Sequence, residues 1–242
     1  MRSNGRRSDE LRPLKFQRRY TRQAPGSVLV RMGRTTVLCT CCVELAVPPF
    51  LLGTGKGWLS AEYGMLPGST STRKQRDRGG KIDGRTVEIQ RLIGRSLRAI
   101  VDLEKLGEVT LWLDCDVLEA DGGTRTASIN GAFVALADAL AAFKEFFPDP
   151  KTIVQDSVAA VSVGLVNDVE LLDLDYSEDK DAEVDMNLVM TGSGQFVEVQ
   201  GTGEEATFSR SQLDRLLKLG KLGIDAVSKS QRDALGDNWP LD

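Results

Sequence analysis

The sequence of 242 residues contains no histidine. This absence excludes Ser-His-Asp and Cys-His catalysis, histidine-ligated zinc and imidazole acid–base chemistry. Any catalyst here must use carboxylates, arginine, lysine, tyrosine, backbone groups or a metal ion. No run of about 18 apolar residues is present, which excludes a membrane-spanning helix. The first 20 residues hold seven Lys and Arg with no apolar core behind them, so we do not expect a secretory signal.

Cysteine is also scarce, with four residues in the whole chain. So few cysteines do not make a disulfide scaffold, and they are typical of a reducing, cytoplasmic protein. Cys39, Cys41 and Cys42 lie in one predicted strand, where Cys41 and Cys42 point to opposite faces. Only Cys115 remains to complete a set of four ligands, which argues against zinc. We interpret these cysteines as small buried apolar residues.

The charge is distributed unevenly, although the net charge is only −4. Lys and Arg exceed Asp and Glu by 13 in residues 1–100, whereas the acids are in excess by 17 in residues 101–242. A basic half indicates a polyanionic partner. An acidic half indicates either a solvated surface or a place for divalent cations.

The hydrophobic pattern predicts an α+β fold with helices packed on mixed sheets. Predicted strands cover 27–32, 35–45, 58–63, 109–117, 158–166, 171–175, 184–191 and 196–201, and the first three are expected to form a meander. Predicted helices cover 84–101 and 126–147, and a third begins at a capping box formed by Ser209 and Gln212. We expect one domain over residues 1–231 and a frayed polar tail over 232–242.

Two predicted helix starts carry groups suited to an anion. Gly123, Thr124 and Arg125 lie between a strand and a helix, where glycine permits a sharp turn and arginine offers paired donors to phosphate oxygens. The alternative is a plain glycine turn with Thr124 as the N-cap. Arg85 begins the other helix, and its alternative is an exposed first-turn arginine.

The acidic residues between 173 and 185 have two interpretations. Such a run is usually a solvated turn, but clustered hard oxygen ligands also suit Mg²⁺. Asp185 stands out because its predicted strand is mostly apolar, and a carboxylate there needs a metal, an arginine or a proton.

A basic segment, residues 68–81, contains Arg73 and Arg76 among serine, threonine and glycine. It is either a disordered basic loop or a flexible arm that neutralises nucleic-acid phosphates. The positive charge of the first hundred residues favours the arm.

With these residues in view, the chain resembles the bacterial ribonuclease PH family. The matching strings run over nearly the whole sequence, at 9–13, 61–67, 84–98, 113–116, 120–128, 172–176, 185–187 and 190–194. The cysteine-rich strand at 39–42 and the loop at 78–83 depart from the family pattern. Neither departure removes a candidate site residue.

The resemblance implies a βαβα ribonuclease PH-like fold and a phosphate-dependent 3′–5′ exoribonuclease. Such an enzyme trims the 3′ ends of precursor tRNA, and of rRNA as a further substrate, by reversible nucleotidyl transfer that releases nucleoside diphosphates. It implies inorganic phosphate as co-substrate, Mg²⁺, and a homohexameric ring built as a trimer of dimers. The implied site residues are Arg85, Gly123, Thr124 and Arg125 for phosphate, Asp179 and Asp185 as the essential acidic pair, and Arg73 and Arg76 for RNA.

The acidic pair has two open roles: its members hold Mg²⁺, or one of them protonates the departing O3′. Three rival functions also stay open. They are a non-catalytic ring subunit, a hydrolytic nuclease that releases monophosphates, and an RNA-binding module that leaves its RNA uncut.

Overall fold

A five-stranded sheet forms the first half of the computed structural model, which describes residues 2, 4–76, 83–204 and 206–241. Its strands are β1 (Leu14–Arg18), β2 (Gly26–Met32), β3 (Thr35–Glu44), β4 (Trp58–Met65) and β5 (Thr110–Glu119). The spatial order is β1-β2-β3-β5-β4, and every neighbouring pair is antiparallel except β4 and β5. The predicted meander is therefore wrong in its third strand. Helices α1 (Gly84–Arg98) and α2 (Leu103–Leu106) make the crossover that two parallel strands require.

A second, four-stranded antiparallel sheet follows. It contains β6 (Val158–Val166), β7 (Val169–Leu172), β8 (Val184–Thr191) and β9 (Phe196–Gly203), in the order β7-β6-β8-β9. The strand predicted over 171–175 is wrong beyond Leu172, because Asp173 has a left-handed backbone with φ of 56°. The chain turns there into the short helix α4 (Tyr176–Lys180).

Helix α3 (Thr124–Ala142) is almost wholly buried and packs on β2, β3 and β6, so that it joins the two sheets into one core. Gly131 allows α3 to pack closely on β3, since a Cβ there would lie 2.6 Å from the sulfur of Cys39. The expected apolar role of the cysteines is confirmed for Cys39, Cys41 and Cys115, which are buried, whereas Cys42 is half-buried on the opposite face.

Helix α5 (Arg210–Leu235) covers the second sheet, and its predicted capping box is confirmed by reciprocal hydrogen bonds between Ser209 and Gln212. The frayed tail predicted from residue 232 is wrong. The helix includes residues 232–235, Leu235 is buried, and the ring of Trp239 packs edge-on against Phe133 at 5.7 Å. The apolar groups of Leu235 and Trp239 explain why this end is ordered.

The predicted α+β class is confirmed, with helices on two sheets. Across the described ranges, we find no helix with the length and apolarity needed to cross a membrane.

Candidate functional site

A cavity of about 830 Å³ collects predicted site residues from distant parts of the chain. Its walls are residues 68–72, the start of α1, the turn between β5 and α3, and α4. Arg85, Gly123, Thr124 and Asp179 line it. The fold therefore brings together an arginine, a helix start and a carboxylate that lie up to 94 residues apart in sequence, counted from Arg85 to Asp179.

The turn before α3 requires both of its glycines. Gly122 and Gly123 have φ values of 75° and 63°. A Cβ on Gly122 would lie 2.6 Å from the carbonyl oxygen of Leu174, and one on Gly123 would lie 3.0 Å from Nη2 of Arg12. The backbone can turn this sharply only because side chains are absent.

The start of α3 carries no side-chain cap, because Gly123 itself occupies the N-cap position. The interpretation of Thr124 as N-cap is therefore wrong. Thr124 is the first helical residue, and its hydroxyl lies 2.9 Å from the hydroxyl of Tyr63. An uncapped helix start leaves backbone N–H groups for an anion, and the helix dipole favours negative charge there.

Arg125 is half-buried and held by two neighbours. Its Nη1 donates to Oε1 of Glu88 at 3.0 Å and to the side-chain oxygen of Gln200. Both contacts use Nη1, and neither Nε nor Nη2 has a partner in the described ranges. The guanidinium is thus fixed between α1 and β9 while its other donors remain available.

Asp179 and Asp185 form an interacting acidic pair. Burial raises the pKa of Asp185 to about 6, and the negative charge of Asp179 adds to this shift while Arg125 opposes it. Partial burial also raises the pKa of Asp179, against the opposing charges of Arg85 and Arg125. Both carboxylates therefore sense both arginines, which places all four groups in one electrostatic cluster.

The donors of this pair fit Mg²⁺. Oδ1 of Asp185 is buried and has no hydrogen-bond partner among the described residues. Mg²⁺ binds through one or two carboxylates and fills its other positions with water or phosphate oxygens. The described ranges hold no cluster of three or more acidic or thiol side chains placed to bind a metal. A metal here would accordingly depend on Asp179, Asp185 and the substrate.

Helix α4, which carries Asp179, is anchored by buried charges. Glu178 accepts from Nε of Arg2 at 2.7 Å and from Nη2 at 2.5 Å, with both side chains buried. Asp175 caps the helix in a capping box with Glu178. The solvated-turn interpretation is therefore wrong for Glu178 and Asp173, which are buried and paired.

One ion pair links α4 to the glycine turn. Arg12 donates from Nη2 to Oδ1 of Asp173 at 2.6 Å and from Nε to Oδ2 at 3.0 Å, and its backbone N–H donates to Oδ2 at 2.7 Å. The same guanidinium donates to the carbonyl oxygens of Asp121 and Gly122. We did not single out Arg12 or Asp173 from sequence as site residues. The available signal was that both lie in the strings at 9–13 and 172–176.

The structure does not bring Arg73 and Arg76 into the cavity wall. Both are exposed, whereas residues 68–72 of the same basic segment line the cavity. Most of the unusual loop at 78–83, and part of the basic segment, lie in residues 77–82, outside the described residues. The RNA-binding role of the two arginines stays a prediction.

Comparison with known proteins places this geometry in context. The family model described as "3′ exoribonuclease family, domain 1" matches residues 10–141, and the model for domain 2 of that family matches residues 156–223. The chain is 58% identical to ribonuclease PH of Rhodopirellula baltica over 237 residues, covering 96% of each chain. It is 56% identical to ribonuclease PH of Bacillus subtilis over 242 residues, covering 99% of each.

Solved structures share the fold at low sequence identity. The crystal structure of rice Rrp46 has a TM-score of 0.79 and 20% identity, and the match covers 97% of this chain and 99% of that one. The Archaeoglobus fulgidus exosome with RNA bound to the active site has a TM-score of 0.78 and 21% identity, with 94% and 91% covered. These likenesses support the fold.

We predict that Asp173→Ala lowers the free energy of unfolding by about 3–5 kcal/mol, because it leaves the buried Arg12 without its counter-charge. The matched control is Asp168→Ala, since Asp168 has a similar φ of 60° but lies exposed in the β6–β7 turn. We expect this control to cost no more than about 1 kcal/mol. Urea denaturation of both variants measures the difference, and equal losses would contradict the role of the ion pair.

We predict that Asp185→Asn stabilises the fold near pH 7. Because the pKa of Asp185 is raised to about 6, the folded chain holds a proton there that the unfolded chain releases near its ordinary pKa of 3.8. Stability is therefore lost as pH rises from about 4 through 6, and the variant avoids a loss of up to about 3 kcal/mol.

Urea denaturation in EDTA at pH 4.5 and 7.5 tests this effect, with Asp168→Asn as the control for removing one exposed charge. The advantage of Asp185→Asn over the parent is expected to grow with pH. A variant less stable than the parent at pH 7.5 would refute the assignment.

Proposed function

The chain belongs to the 3′ exoribonuclease family and is a phosphorolytic exoribonuclease of the ribonuclease PH type, and we propose that the cavity described above is its active site. In phosphorolysis, an oxygen of inorganic phosphate attacks the phosphorus of the last phosphodiester. The bond to O3′ of the preceding nucleotide breaks, O3′ takes a proton, and a nucleoside diphosphate leaves. The observation that carries the proposal is the meeting of an uncapped helix start, Arg85 and Asp179 in one cleft, while Asp185 interacts electrostatically with Asp179 and with both Arg85 and Arg125.

In this proposal Arg85, Gly123, Thr124 and Arg125 bind inorganic phosphate. The phosphate anion must approach a second anion, the scissile phosphodiester, so the site has to offset their repulsion. The amides at the start of α3 and the Nε and Nη2 donors of Arg125 are suited to this task. No base is required, because phosphate is already a nucleophile at neutral pH.

Asp179 and Asp185 would hold Mg²⁺, which when bound neutralises charge on the scissile phosphate. The unpartnered buried oxygen of Asp185 supports a ligand role. The alternative role is protonation of O3′ by one member of the pair, and a pKa of about 6 for Asp185 is compatible with it.

We further propose that the substrates are tRNA precursors and rRNA 3′ ends, and that six copies form a ring as a trimer of dimers. Arg73 and Arg76 are exposed and available to RNA phosphates. The structural neighbours include an exosome with RNA bound to its active site. We propose one catalytic domain that extends past residue 231 to include Leu235 and Trp239, and a cytoplasmic location in keeping with four free cysteines.

We predict that release of nucleotides from a tRNA with 3′ extra residues requires phosphate and yields diphosphates. Arg125→Ala should raise the KM for phosphate by about 10- to 150-fold, because it removes a charge-assisted contact worth about 1.5–3 kcal/mol. The control Arg91→Ala removes an exposed arginine of α1 outside the cavity wall, and it should leave the KM for phosphate unchanged. Chromatography identifies the products. Monophosphates in phosphate-free buffer would indicate a hydrolytic nuclease, and bound but uncut RNA would indicate a binding module.

We predict that tRNA affinity falls steeply with salt, and that the double variant Arg73→Ala/Arg76→Ala reduces the slope of log affinity against log salt by about 1 to 2. The control removes two exposed charges from α5, with Arg210→Ala and Lys229→Ala. Binding is measured across a salt series and particle mass by light scattering. An unchanged slope at unchanged mass would make the segment a solvated loop. A fully active monomer would contradict the ring.

A further inference from the structure

Tyr176 is an aromatic residue in a cavity wall that is otherwise polar or aliphatic. It lines the cavity together with Arg85, Thr124 and Asp179, and 58% of its surface is exposed. It is the one aromatic residue in the described lining. A large ring left open to water in a cleft is available to bind a flat ligand.

The backbone of Tyr176 is held firmly although its ring is free. The preceding Asp175 caps α4, and Glu178 closes the capping box and is itself paired with Arg2. The glycine turn packs against the same backbone, since a Cβ on Gly122 would lie 3.0 Å from the nitrogen of Tyr176. Within the part of the chain that the structure describes, neither the hydroxyl nor the ring has a hydrogen-bond, aromatic or cation–π partner.

The position of the ring relative to the acidic pair is informative. Tyr176 and Asp179 are three residues apart on one helical turn, so both side chains lie on the same side of α4 and face the cavity. The arginines and the helix start provide for phosphates. The nucleotide at the end of the RNA also has a base, and Tyr176 is the exposed π surface beside the carboxylates.

We propose that the ring of Tyr176 stacks on the base at the 3′ end of the RNA and so positions the terminal nucleotide beside Asp179. This inference rests on the proposed function of the cavity. Stacking accepts every base, because each has a π face, and it contributes about 5- to 150-fold in affinity per base. The contact would grip the RNA end without sequence preference and would not need the tyrosine hydroxyl.

The test compares the parent, Tyr176→Ala, Tyr176→Phe and the control Tyr20→Ala, whose tyrosine is 45% exposed outside the cavity wall. Two oligoribonucleotides are used, one ordinary and one without a base on its 3′-terminal ribose. We expect Tyr176→Ala to raise the KM for the ordinary RNA by about 5- to 150-fold while the KM for phosphate is unchanged. Tyr176→Phe and Tyr20→Ala should behave like the parent.

The substrate without the base makes the result specific to stacking. We expect the parent to lose affinity for it by a similar factor, and the difference between parent and Tyr176→Ala to disappear. Equal RNA affinities of the parent for both substrates would overturn the proposal, as would an equal loss by Tyr176→Ala on both. A fall in particle mass for Tyr176→Ala would also overturn the proposal, because it would place the tyrosine side chain in a contact between subunits. The phosphate dependence of the parent, measured in the same assay, tests the proposed function separately.

Discussion

The buried ion pair between Arg12 and Asp173 is the contact on which the geometry of the site depends. Two charges removed from water are costly unless geometry and hydrogen bonds compensate, and here Asp173 accepts three donors from Arg12 alone. The pair holds a non-glycine residue in a left-handed backbone, and the chain turns there from β7 into α4. Arg12 also holds the carbonyl oxygens of the glycine turn. The guanidinium of Arg12 therefore links the start of α3 to the segment that leads into α4, the helix that carries Asp179.

The absence of histidine is consistent with this chemistry. An enzyme that activates water or serine needs a base near neutral pH, whereas phosphorolysis begins with a nucleophile that is already anionic. What the site must still do is offset the repulsion between two phosphate groups. Burial and the arginines have opposite effects on the carboxylates of this site. Burial raises the pKa of Asp185, while Arg85 and Arg125 lower it. The same arginines that would bind phosphate therefore help to keep a buried acid partly ionised.

The sequence predicts those elements best whose signal is local. The strands at Val158–Val166 and Val184–Thr191 match their predicted bounds, and the capping box at Ser209 marks the start of α5. Strand order is not a local property, which is why the insertion of β5 between β3 and β4 was missed. Strand β1 and helices α2 and α4 are each five residues or fewer, too short to show a period. The packing of Trp239 could not be predicted from local sequence, because its partner Phe133 lies 106 residues earlier in the chain.

The same distinction applies to the site. Gly123 and Arg125 could be singled out because a glycine turn before a helix has a local meaning, and Asp185 because a charge in an apolar strand is conspicuous. Arg12 is an ordinary arginine until the fold places it beside Asp173, 161 residues away. The uneven distribution of charge along the chain also has a consequence for the site. Arg85 comes from the basic first hundred residues, and both aspartates come from the acidic remainder. Like charges within each part repel one another, but the fold brings Arg85 from the basic part and Asp179 from the acidic part into one cleft. In the function proposed above, that juxtaposition of opposite charges is what would hold phosphate and a divalent cation together.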